Sequence, residues 1–372
     1  MRIGVPKEIK TQEYRVGLTP ESVGELVRAG HDVVVETNAG MGLGAPDAAY
    51  IKAGAKILPT AQAIFDEAEM IVKVKEPQAV ECAMLKPHHT LFTYLHLAAD
   101  KPQAEALMKS GATCIAYETV TDASGGLPLL MPMSEVAGRM AVQVGAHCLE
   151  NAMGGRGVLL GGVPGVPPAD VLILGGGVSG TNAAMMAIGM GASVTVVDRS
   201  ATVLRNQVAR FGERVRTVFS TRDAIAELVS RADLIIGTVL IPGAAAPKLV
   251  TRAMLGTMKR GAAIVDVAID QGGCTETSHA TTHSAPTYIV DGIVHYCVAN
   301  MPGGVARTST FALNNMTLPF VLALANKGWR QALRDDPHLC AGLNVHAGHV
   351  TYKAVADALG LAWQDPKQAL AA

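Results

Sequence analysis

Short apolar runs alternate with amphipathic segments from the first residues of the chain. Strands are predicted for the runs RIGV, DVVVET, AKIL, MIVKVK, TLFTYL and ATCIAYE. Helical spacing and starting caps occur in the segments between them, such as PESVGELVRAG and TAQAIFDEA. Because strands that alternate with helices are typical of a parallel sheet, the first part of the chain predicts a Rossmann-like unit without a glycine fingerprint.

The same alternation resumes in the second half of the chain. The stretch SEVAGRMAVQVGAHCLENAMGG predicts a connecting helix, and GVLLGGVPGVPPA predicts a surface loop. From Val171 onward, strands are predicted at VLIL, SVTVVD, RVRTVF, DLIIGT, AAIVDV and about HYCVAN. The later TSTFALNNMTLPFVLALANKG predicts a long helix bent near Pro319, followed by a helical, polar tail.

A long helix near the end of the chain could return it to the first domain. We therefore predict an α/β protein with two Rossmann-like, doubly wound domains, the second inserted into a discontinuous first. The predicted divisions are residues 1–128, 129–307 and 308–372.

Composition narrows the class of protein. Almost half of the 372 residues are apolar and the formal net charge is −1, which favours a globular α/β enzyme over a nucleic-acid binder. The start MRIGVPKEIK has no apolar core of a signal peptide, and the most apolar stretch is broken by Gly, Pro and Asp170. We expect a cytoplasmic protein without a membrane span.

The six cysteines are scattered along the chain. They form no C-x-x-C pair and no Cys/His group with zinc spacing, so we expect reduced, buried or half-buried thiols and no metal site. They are Cys82, Cys114, Cys148, Cys274, Cys297 and Cys340.

The most specific motif is LILGGGVSGTNAAMM. Gly175, Gly177 and Gly180 form G-x-G-x-x-G after an apolar strand and at the start of a helix, with Val178 and Ser179 between the last two glycines. The glycines permit a tight turn, close approach of a pyrophosphate and close helix packing, and the helix N-terminus favours the phosphates. The alternative is a purely structural glycine turn.

An aspartate follows the motif at a position suited to binding the ribose of a dinucleotide. The next strand, SVTVVD, ends in Asp198, whose carboxylate can accept hydrogen bonds from both ribose hydroxyls. Because Asp198 would repel a 2′-phosphate, the sequence favours NAD over NADP. The positive charge of the adjacent Arg199 slightly weakens this preference.

Candidate substrate groups follow the strands of the first domain. Lys73 and Lys75 lie on one face of MIVKVKEP, with Lys75 at its end, and His96 ends TLFTYLH in the same way. Lys75 could hold a substrate and His96 could transfer protons. The alternatives are a solvated edge lysine and a structural histidine.

Two further candidates lie elsewhere. Arg15 precedes a helix that begins near Thr19-Pro20 and could capture a carboxylate through two hydrogen bonds, unless it is a surface arginine bonded to a neighbouring loop. Asp270 leaves the sheet after AAIVDV, whereas Asp266 lies inside the strand and is expected to be structural. Two cations, a histidine and a carboxylate suit oxidation of a small α-amino acid.

The chain resembles the alanine dehydrogenase and transhydrogenase alpha-subunit family over essentially its whole length. The resemblance rests on RIGVPKEIKTQEYRVGLTP, MIVKVKEP, LFTYLHLAAD, LLMPMSEVAGRMAVQ, LGGGVSGTNAA, VDVAIDQGG and YCVANMPGGVARTSTFALNN. It implies NAD-dependent, reversible deamination of L-alanine to pyruvate and ammonium by a cytoplasmic homohexamer.

The resemblance also implies roles for individual residues. Arg15 and Lys75 would bind the substrate, and His96 and Asp270 would transfer protons. Besides the glycine loop, the NAD site would include Ser134, Val178, Asp198, Ser220, Val239, Leu240, Val267, Ala268, Ile269, Asp270, Val298, Ala299, Asn300 and Met301. Val203 and His279 depart from the family's pattern, in which basic residues are frequent at these positions.

Three alternatives stay open on the sequence. One is the NAD-binding subunit of a transhydrogenase, which passes hydride to a partner protein. Another is a nucleotide-binding protein without catalysis, which the presence of all four candidate groups disfavours. The third is a dehydrogenase of a larger amino acid, such as lysine or saccharopine, because the sequence does not measure the pocket.

Overall fold

A computed structural model describes residues 1–239 and 246–371 of the chain. Its strands are β1 (Arg2–Val5), β2 (Asp32–Glu36), β3 (Lys56–Leu58), β4 (Met70–Val72), β5 (Thr90–Thr93), β6 (Thr113–Ala116), β7 (Asp170–Leu174), β8 (Ser193–Asp198), β9 (Val215–Phe219), β10 (Leu234–Gly237), β11 (Ala263–Asp266), β12 (Thr287–Val290), β13 (Ile293–Tyr296), β14 (Leu343–His346) and β15 (His349–Val350).

The α-helices lie between and after these strands. They are α1 (Pro20–Arg28), α2 (Asp47–Lys52), α3 (Ala61–Glu67), α4 (Ala79–Cys82), α5 (Lys101–Ser110), α6 (Met131–Cys148), α7 (Val178–Gly189), α8 (Ala201–Phe211), α9 (Arg222–Arg231), α10 (Arg252–Leu255), α11 (Ala306–Asp335), α12 (Pro337–Cys340), α13 (Lys353–Leu359) and α14 (Pro366–Ala371). The strands predicted from the apolar runs are confirmed, with shifts of a few residues at their ends.

The chain divides into two compact units. The first contains Met1–Met133 and Gly303–Ala372, and the second contains Ser134–Pro302. The second unit is thus inserted in the chain of the first, as expected for the predicted fold class.

The first unit contains a sheet that is mostly parallel. Over the residues described, its order is β15-β14-β6-β5-β4-β1-β2-β3, and β1 to β6 are mutually parallel. Strands β1, β4 and β5 are therefore neighbours, and their carboxyl ends lie at one edge of the sheet.

The C-terminal tail differs from the expectation of helix alone. Strand β14 pairs antiparallel with β6, and β15 turns back on β14. Leu343 and Val345 of β14 are at most 1% exposed, so this strand belongs to the core. The turn uses Ala347 and Gly348, both at positive φ, and such a hairpin joins the sheet because its alternate apolar side chains can be buried there.

The long helix is confirmed, but its break lies elsewhere than predicted. Pro319 lies within α11, whereas the backbone leaves helical angles at Gly328, where φ is 71° and ψ is 155°. Such angles are readily adopted only by glycine, so Gly328 accommodates the break and Pro319 does not mark it.

The second unit contains the Rossmann order of strands. Among its described residues the order is β12-β13-β11-β10-β7-β8-β9, with only β12 antiparallel. Alternate residues of β7 enter two different hydrophobic clusters, Val171 and Ile173 in one, Leu172 and Leu174 in the other. Both faces of this sheet are therefore covered, as in doubly wound proteins.

Two general properties of the chain follow from these elements. Within 1–239 and 246–371, no helix combines the length and the apolar character needed to cross a bilayer. All six cysteines are free thiols, five of them buried and Cys340 half-buried.

Candidate cofactor and substrate sites

The glycine-rich loop of the second unit joins β7 to α7. Gly175 has a φ of 99°, and a Cβ on Gly180 would lie 1.8 Å from the carbonyl oxygen of Gly175. Only glycine at position 180 permits this contact. A Cβ on Gly177, the N-cap of α7, would meet no described atom within 4 Å. This open space next to the unsatisfied N–H groups of the helix suits a pyrophosphate.

A buried glutamine, Gln207, holds the glycine loop by hydrogen bonds. Gln207 of α8 donates through Nε2 to the carbonyl oxygen of Gly176 at 2.8 Å and to Oγ1 of Thr181 at 2.7 Å. These two bonds tie the loop and the first turn of α7 to the next helix of the unit. Local spacing does not single out Gln207, because its partners lie 31 and 26 positions away in the chain.

Asp198 lies at the end of β8 and contacts the same loop. One carboxylate oxygen accepts the amide N–H of Gly176 at 2.8 Å, and the other accepts that of Ser200 at 2.8 Å. A carboxylate offers about four acceptor positions, so these bonds orient it and leave capacity for ribose hydroxyls. The geometry therefore fits the predicted role of Asp198.

Other predicted cofactor residues follow the carboxyl ends of parallel strands in this unit. They are Ser220 after β9, Val239 after β10, Val267, Ala268, Ile269 and Asp270 after β11, and Val298, Ala299, Asn300 and Met301 after β13. Ligands of open α/β sheets bind at that edge. Leu240 lies outside the described residues.

The glycine loop also contacts the start of the second unit. Ser179 donates through Oγ to the carbonyl oxygen of Ser134 at 2.9 Å, which places Ser134 beside the loop. Val178, the first residue of α7, is 39% exposed. Ser134 and Val178 therefore both lie at the glycine loop.

The aspartate that ends β11 and the one that follows it have different surroundings. Asp266 is fully buried and accepts hydrogen bonds from the Cys274 amide at 2.9 Å and from Ser278 Oγ at 2.6 Å. These bonds hold the following loop, and they give Asp266 the structural position expected from the sequence. Asp270 is exposed at the end of a short 3-10 helix, Val267–Gln271.

Arg15 of the first unit is buried rather than on the surface. Glu13 accepts from its Nε at 2.7 Å and from its Nη2 at 2.6 Å, and Nη1 contacts the sulfur of Met133 at 3.0 Å. Burial acts to lower the pKa of Arg15, but the hydrogen bonds and charge of Glu13 outweigh it, and the pKa lies above its ordinary value. The carboxylate that Arg15 binds through two hydrogen bonds in this structure is thus that of Glu13.

Lys75 follows β4 and lies near two other charged residues. Its Nζ is 3.8 Å from Oε2 of Glu76, and Lys10 binds the other oxygen of Glu76. Burial acts to raise the pKa of Glu76, but the charges of Lys75, Lys10 and His96 lower it below its ordinary value. Lys75 and His96 therefore lie within electrostatic range of the same carboxylate.

His96 follows β5 in a left-handed backbone conformation. Its φ is 51° and its ψ is 35°, and its amide N–H donates to Oε1 of Glu118 at 2.6 Å. The imidazole is exposed and stacks on Tyr94, with ring centroids 5.7 Å apart and ring planes 8° apart. A non-glycine residue with positive φ is uncommon and is found more often at functional sites.

Tyr94 connects His96 to the surroundings of Arg15. Its hydroxyl donates to the carbonyl oxygen of Leu129 at 2.5 Å. Burial raises the pKa of Tyr94, and the charge of Arg15 partly opposes the rise. The first unit thus places Arg15, Lys75 and His96 at one sheet edge, while Asp270 belongs to the second unit.

The positions that depart from the family's pattern have local partners. The side chain of Val203 packs on the glycine loop, since a Cβ on Gly176 would lie 2.6 Å from its Cγ1. The ring of His279 stacks on Tyr288, with centroids 3.7 Å apart. Neither position places a positive side chain beside Asp198 in the described geometry.

The site residues of the two units together indicate a class of protein. In the part of the chain that the structure describes, no group of three or more His, Cys, Asp and Glu side chains is suited to a metal ion. The second unit is a Rossmann unit with a dinucleotide loop, and the first unit has cationic and imidazole groups at a sheet edge. Together they define a nicotinamide-dependent oxidoreductase.

Two family profiles match the chain. The one described as "Alanine dehydrogenase/PNT, N-terminal domain" matches residues 4–137, and "Alanine dehydrogenase/PNT, C-terminal domain" matches residues 141–353. The chain therefore belongs to the alanine dehydrogenase/PNT family.

Curated relatives align with nearly the whole chain. It is 63% identical to the alanine dehydrogenase of Halomonas elongata, over 97% of each chain. It is 55% identical to that of Bacillus subtilis, over 100% of this chain and 98% of the relative.

Solved structures agree with the sequence relatives. An L-alanine dehydrogenase superposes with a TM-score of 0.94 at 53% identity, covering 97% of this chain and 99% of that one. A transhydrogenase from Sinorhizobium meliloti superposes with a TM-score of 0.81 at 28% identity, covering 95% and 100%.

Proposed function

We propose that this chain catalyses the NAD-dependent, reversible oxidative deamination of L-alanine to pyruvate and ammonium. The main support is its identity of 53% to an L-alanine dehydrogenase that superposes over 97% of the chain. The local geometry is consistent with this reaction, because each unit presents the type of group that the reaction requires.

The second unit has the features needed to hold NAD. The open N-cap of α7 at Gly177 suits the pyrophosphate, and Asp198 suits the adenosine ribose. The residues that follow β9, β10, β11 and β13, together with Ser134, Val178 and Ser179, would complete the site. NAD held there would supply the hydride acceptor for the oxidation of the substrate.

The first unit supplies the substrate-binding groups in this proposal. Arg15 and Lys75 bind the carboxylate and the carbonyl oxygen of pyruvate, or the corresponding atoms of alanine. A thioether is a weak acceptor, so a substrate carboxylate is the better partner for Nη1 of Arg15, which contacts Met133. The pairing with Glu13 fixes the orientation of the guanidinium.

Proton transfer is assigned to His96 and Asp270. Deamination requires a base for the proton of the amine or the attacking water, and an acid for the return step. His96 is exposed on a backbone fixed by Glu118, and Asp270 is an exposed carboxylate. Both side chains can therefore reach solvent-derived protons.

The larger organisation forms part of the same proposal. Residues 1–128 and 308–372 would form the substrate domain, and 129–307 the NAD domain. In support of these bounds, the two compact units of the structure divide at 133/134 and 302/303, each about five residues from a proposed boundary. We further propose a cytoplasmic homohexamer whose partners are small molecules and not nucleic acids.

Initial rates with a set of amino acids test the reaction. NADH formation is followed by absorbance after NAD and L-alanine, L-serine, L-lysine or D-alanine are added to the full-length protein. We expect a clear preference for L-alanine. Tight NADH binding without turnover of any amino acid would contradict the proposal and favour a transhydrogenase-like or non-catalytic protein.

Single substitutions test the assigned roles. We expect His96→Ala and Asp270→Ala to lose at least 100-fold in kcat while NADH binding stays largely intact, because the glycine loop and Asp198 remain and Asp270 is only one of many residues proposed to line the NAD site. The exposed residues His349 and Asp223 provide controls, and their alanine variants should retain normal kcat. Strong turnover in His96→Ala or Asp270→Ala would remove that residue from the mechanism.

A further inference from the structure

A fully buried lysine lies two residues before Lys75. The ammonium of Lys73 donates to Oε2 of Glu8 at 2.9 Å and to Oε1 of Glu81 at 2.7 Å. All three side chains are at most 2% exposed. Ion pairs buried to this extent cost desolvation energy, so they need several hydrogen bonds to be stable.

The second oxygen of Glu8 is directed to the backbone that carries Lys75. Oε1 accepts the amide N–H of Val74 at 2.7 Å and lies 3.4 Å from that of Lys75. The carbonyl oxygen of Lys75 accepts a hydrogen bond from Thr93 of β5 at 3.0 Å. The backbone of Lys75 is thus held from both sides.

Glu81 shares the ammonium but holds a different segment. Its Oε2 accepts the amide N–H of Gln78, as part of the capping box that begins α4. Glu8 and Glu81 therefore make equivalent bonds to Lys73, and only Glu8 contacts the amides next to Lys75. This difference separates a local role from a general stabilising one.

The group holds one ammonium between two carboxylates, so the charged form of Glu8 depends on Lys73. Burial raises the pKa of Glu8, the charge of Glu81 adds to the rise, and the neighbouring Lys73 is the main group that opposes it. Without that ammonium, Glu8 would be more easily protonated and would lose part of its strength as an acceptor.

We propose that Glu8, held by Lys73, is a positioning residue for Lys75 in the binding of the keto acid. Glu8 does not touch the substrate in this proposal; it fixes the backbone from which the Lys75 side chain extends. The inference rests on the proposed function of Lys75 and adds the group that sets its position.

The test compares two isosteric variants of the full-length protein. In Glu8→Gln the single amide oxygen is required by the buried ammonium, so the amide NH₂ faces the N–H groups of Val74 and Lys75. In Glu81→Gln the same conflict arises at Gln78. Each variant loses one acceptor at one backbone segment, and the pair is therefore matched in charge and size.

The measurements are the KM and kcat for pyruvate, the KM for NADH, and the melting temperature. For Glu8→Gln we expect kcat/KM for pyruvate to fall at least tenfold, mainly through KM, with the KM for NADH within twofold. For Glu81→Gln we expect a kcat/KM within threefold of the native value. Both variants should melt at a lower temperature than the native protein, and by a similar amount. If Glu8→Gln does not fold, Glu8→Asp, which reaches only one partner, replaces it.

Lys75→Met serves as the reference for the role of Lys75. A large loss in Lys75→Met together with unchanged kinetics in Glu8→Gln would overturn the positioning role alone. Equal kinetic losses in Glu8→Gln and Glu81→Gln would also overturn it, because the effect would then be general. Unchanged kinetics in Lys75→Met would overturn both this inference and the substrate role of Lys75.

Discussion

The glycine loop allows a sharp comparison between two changes of the same size. Gly180→Ala places a methyl group 1.8 Å from the Gly175 carbonyl oxygen and 2.9 Å from Oγ1 of Thr238, where no side-chain movement removes the backbone clash. Gly177→Ala places a methyl group in open space among the described residues, at a φ of −67° that alanine adopts easily. The first change strains the fold, and the second acts only on what binds there.

The expected magnitudes follow from these contacts. Overpacking costs about 1–3 kcal/mol, and a domain of this size loses roughly 2–4 °C in melting temperature per kcal/mol. We therefore expect Gly180→Ala to melt roughly 2–12 °C lower. Gly177→Ala should melt within about 2 °C of the native protein and bind NADH at least tenfold more weakly, or about 1.4 kcal/mol.

Two measurements decide the comparison: thermal unfolding by circular dichroism, and NADH affinity by titration of its fluorescence. Native NADH affinity in Gly177→Ala would refute the assignment of the open N-cap to the pyrophosphate. A native melting temperature in Gly180→Ala would show that the contact between the loop and α7 is less rigid than its geometry indicates.

Three further expectations concern cofactor choice, pH and packing. Asp198→Gly should weaken NAD binding and relax the discrimination against NADP in parallel titrations; an unchanged preference would show that the ribose is read elsewhere. Burial and the charge of His88 lower the pKa of His89 to about 4, below the ordinary 6.5. Above pH 6.5 His89 is neutral in both states, and the unfolding free energy does not depend on it. As the pH falls from 6.5 toward 4, the unfolded chain takes up the proton more readily, which lowers the unfolding free energy by on the order of 1–2 kcal/mol between pH 7 and 5. Urea unfolding at both pH values should show that His89→Gln flattens this dependence, and an equally steep loss would contradict the assignment. Asn314 bonds the Thr19 amide at 2.9 Å and the Gly17 carbonyl at 3.1 Å, so Asn314→Ala should lower the unfolding free energy by about 1–3 kcal/mol; no change in a urea titration would contradict this.

Sequence periodicity predicts most of this fold because the sheets are parallel and buried. Apolar runs such as VLIL and SVTVVD lie between helices that cover both faces, so hydrophobic pattern and position in the sheet agree. The hairpin of β14 and β15 cannot be predicted in this way. Its two strands are only four and two residues long, and their burial depends on pairing with β6, more than 200 residues away.

The candidate site shows the same limit at the level of side chains. Gly175, Gly180 and Asp198 follow from local spacing, since their roles depend on neighbours in one strand, one turn and one helix. The partners Glu118 and Gln207 contact residues that lie 22 and 31 positions away, and no spacing rule connects them. Glu13 lies only two residues from Arg15, but a close pair in sequence does not reveal that both side chains are buried together.

The most direct test of the proposed function is the stoichiometry of the reaction. The purified full-length protein is incubated with L-alanine and NAD, and NADH, pyruvate and ammonium are measured in the same samples over time. We expect the three products to appear in equal amounts and to be consumed again when pyruvate and ammonium are added in excess. Formation of NADH without pyruvate and ammonium, or no NADH at all with protein that binds it, would contradict alanine deamination as the function of this chain.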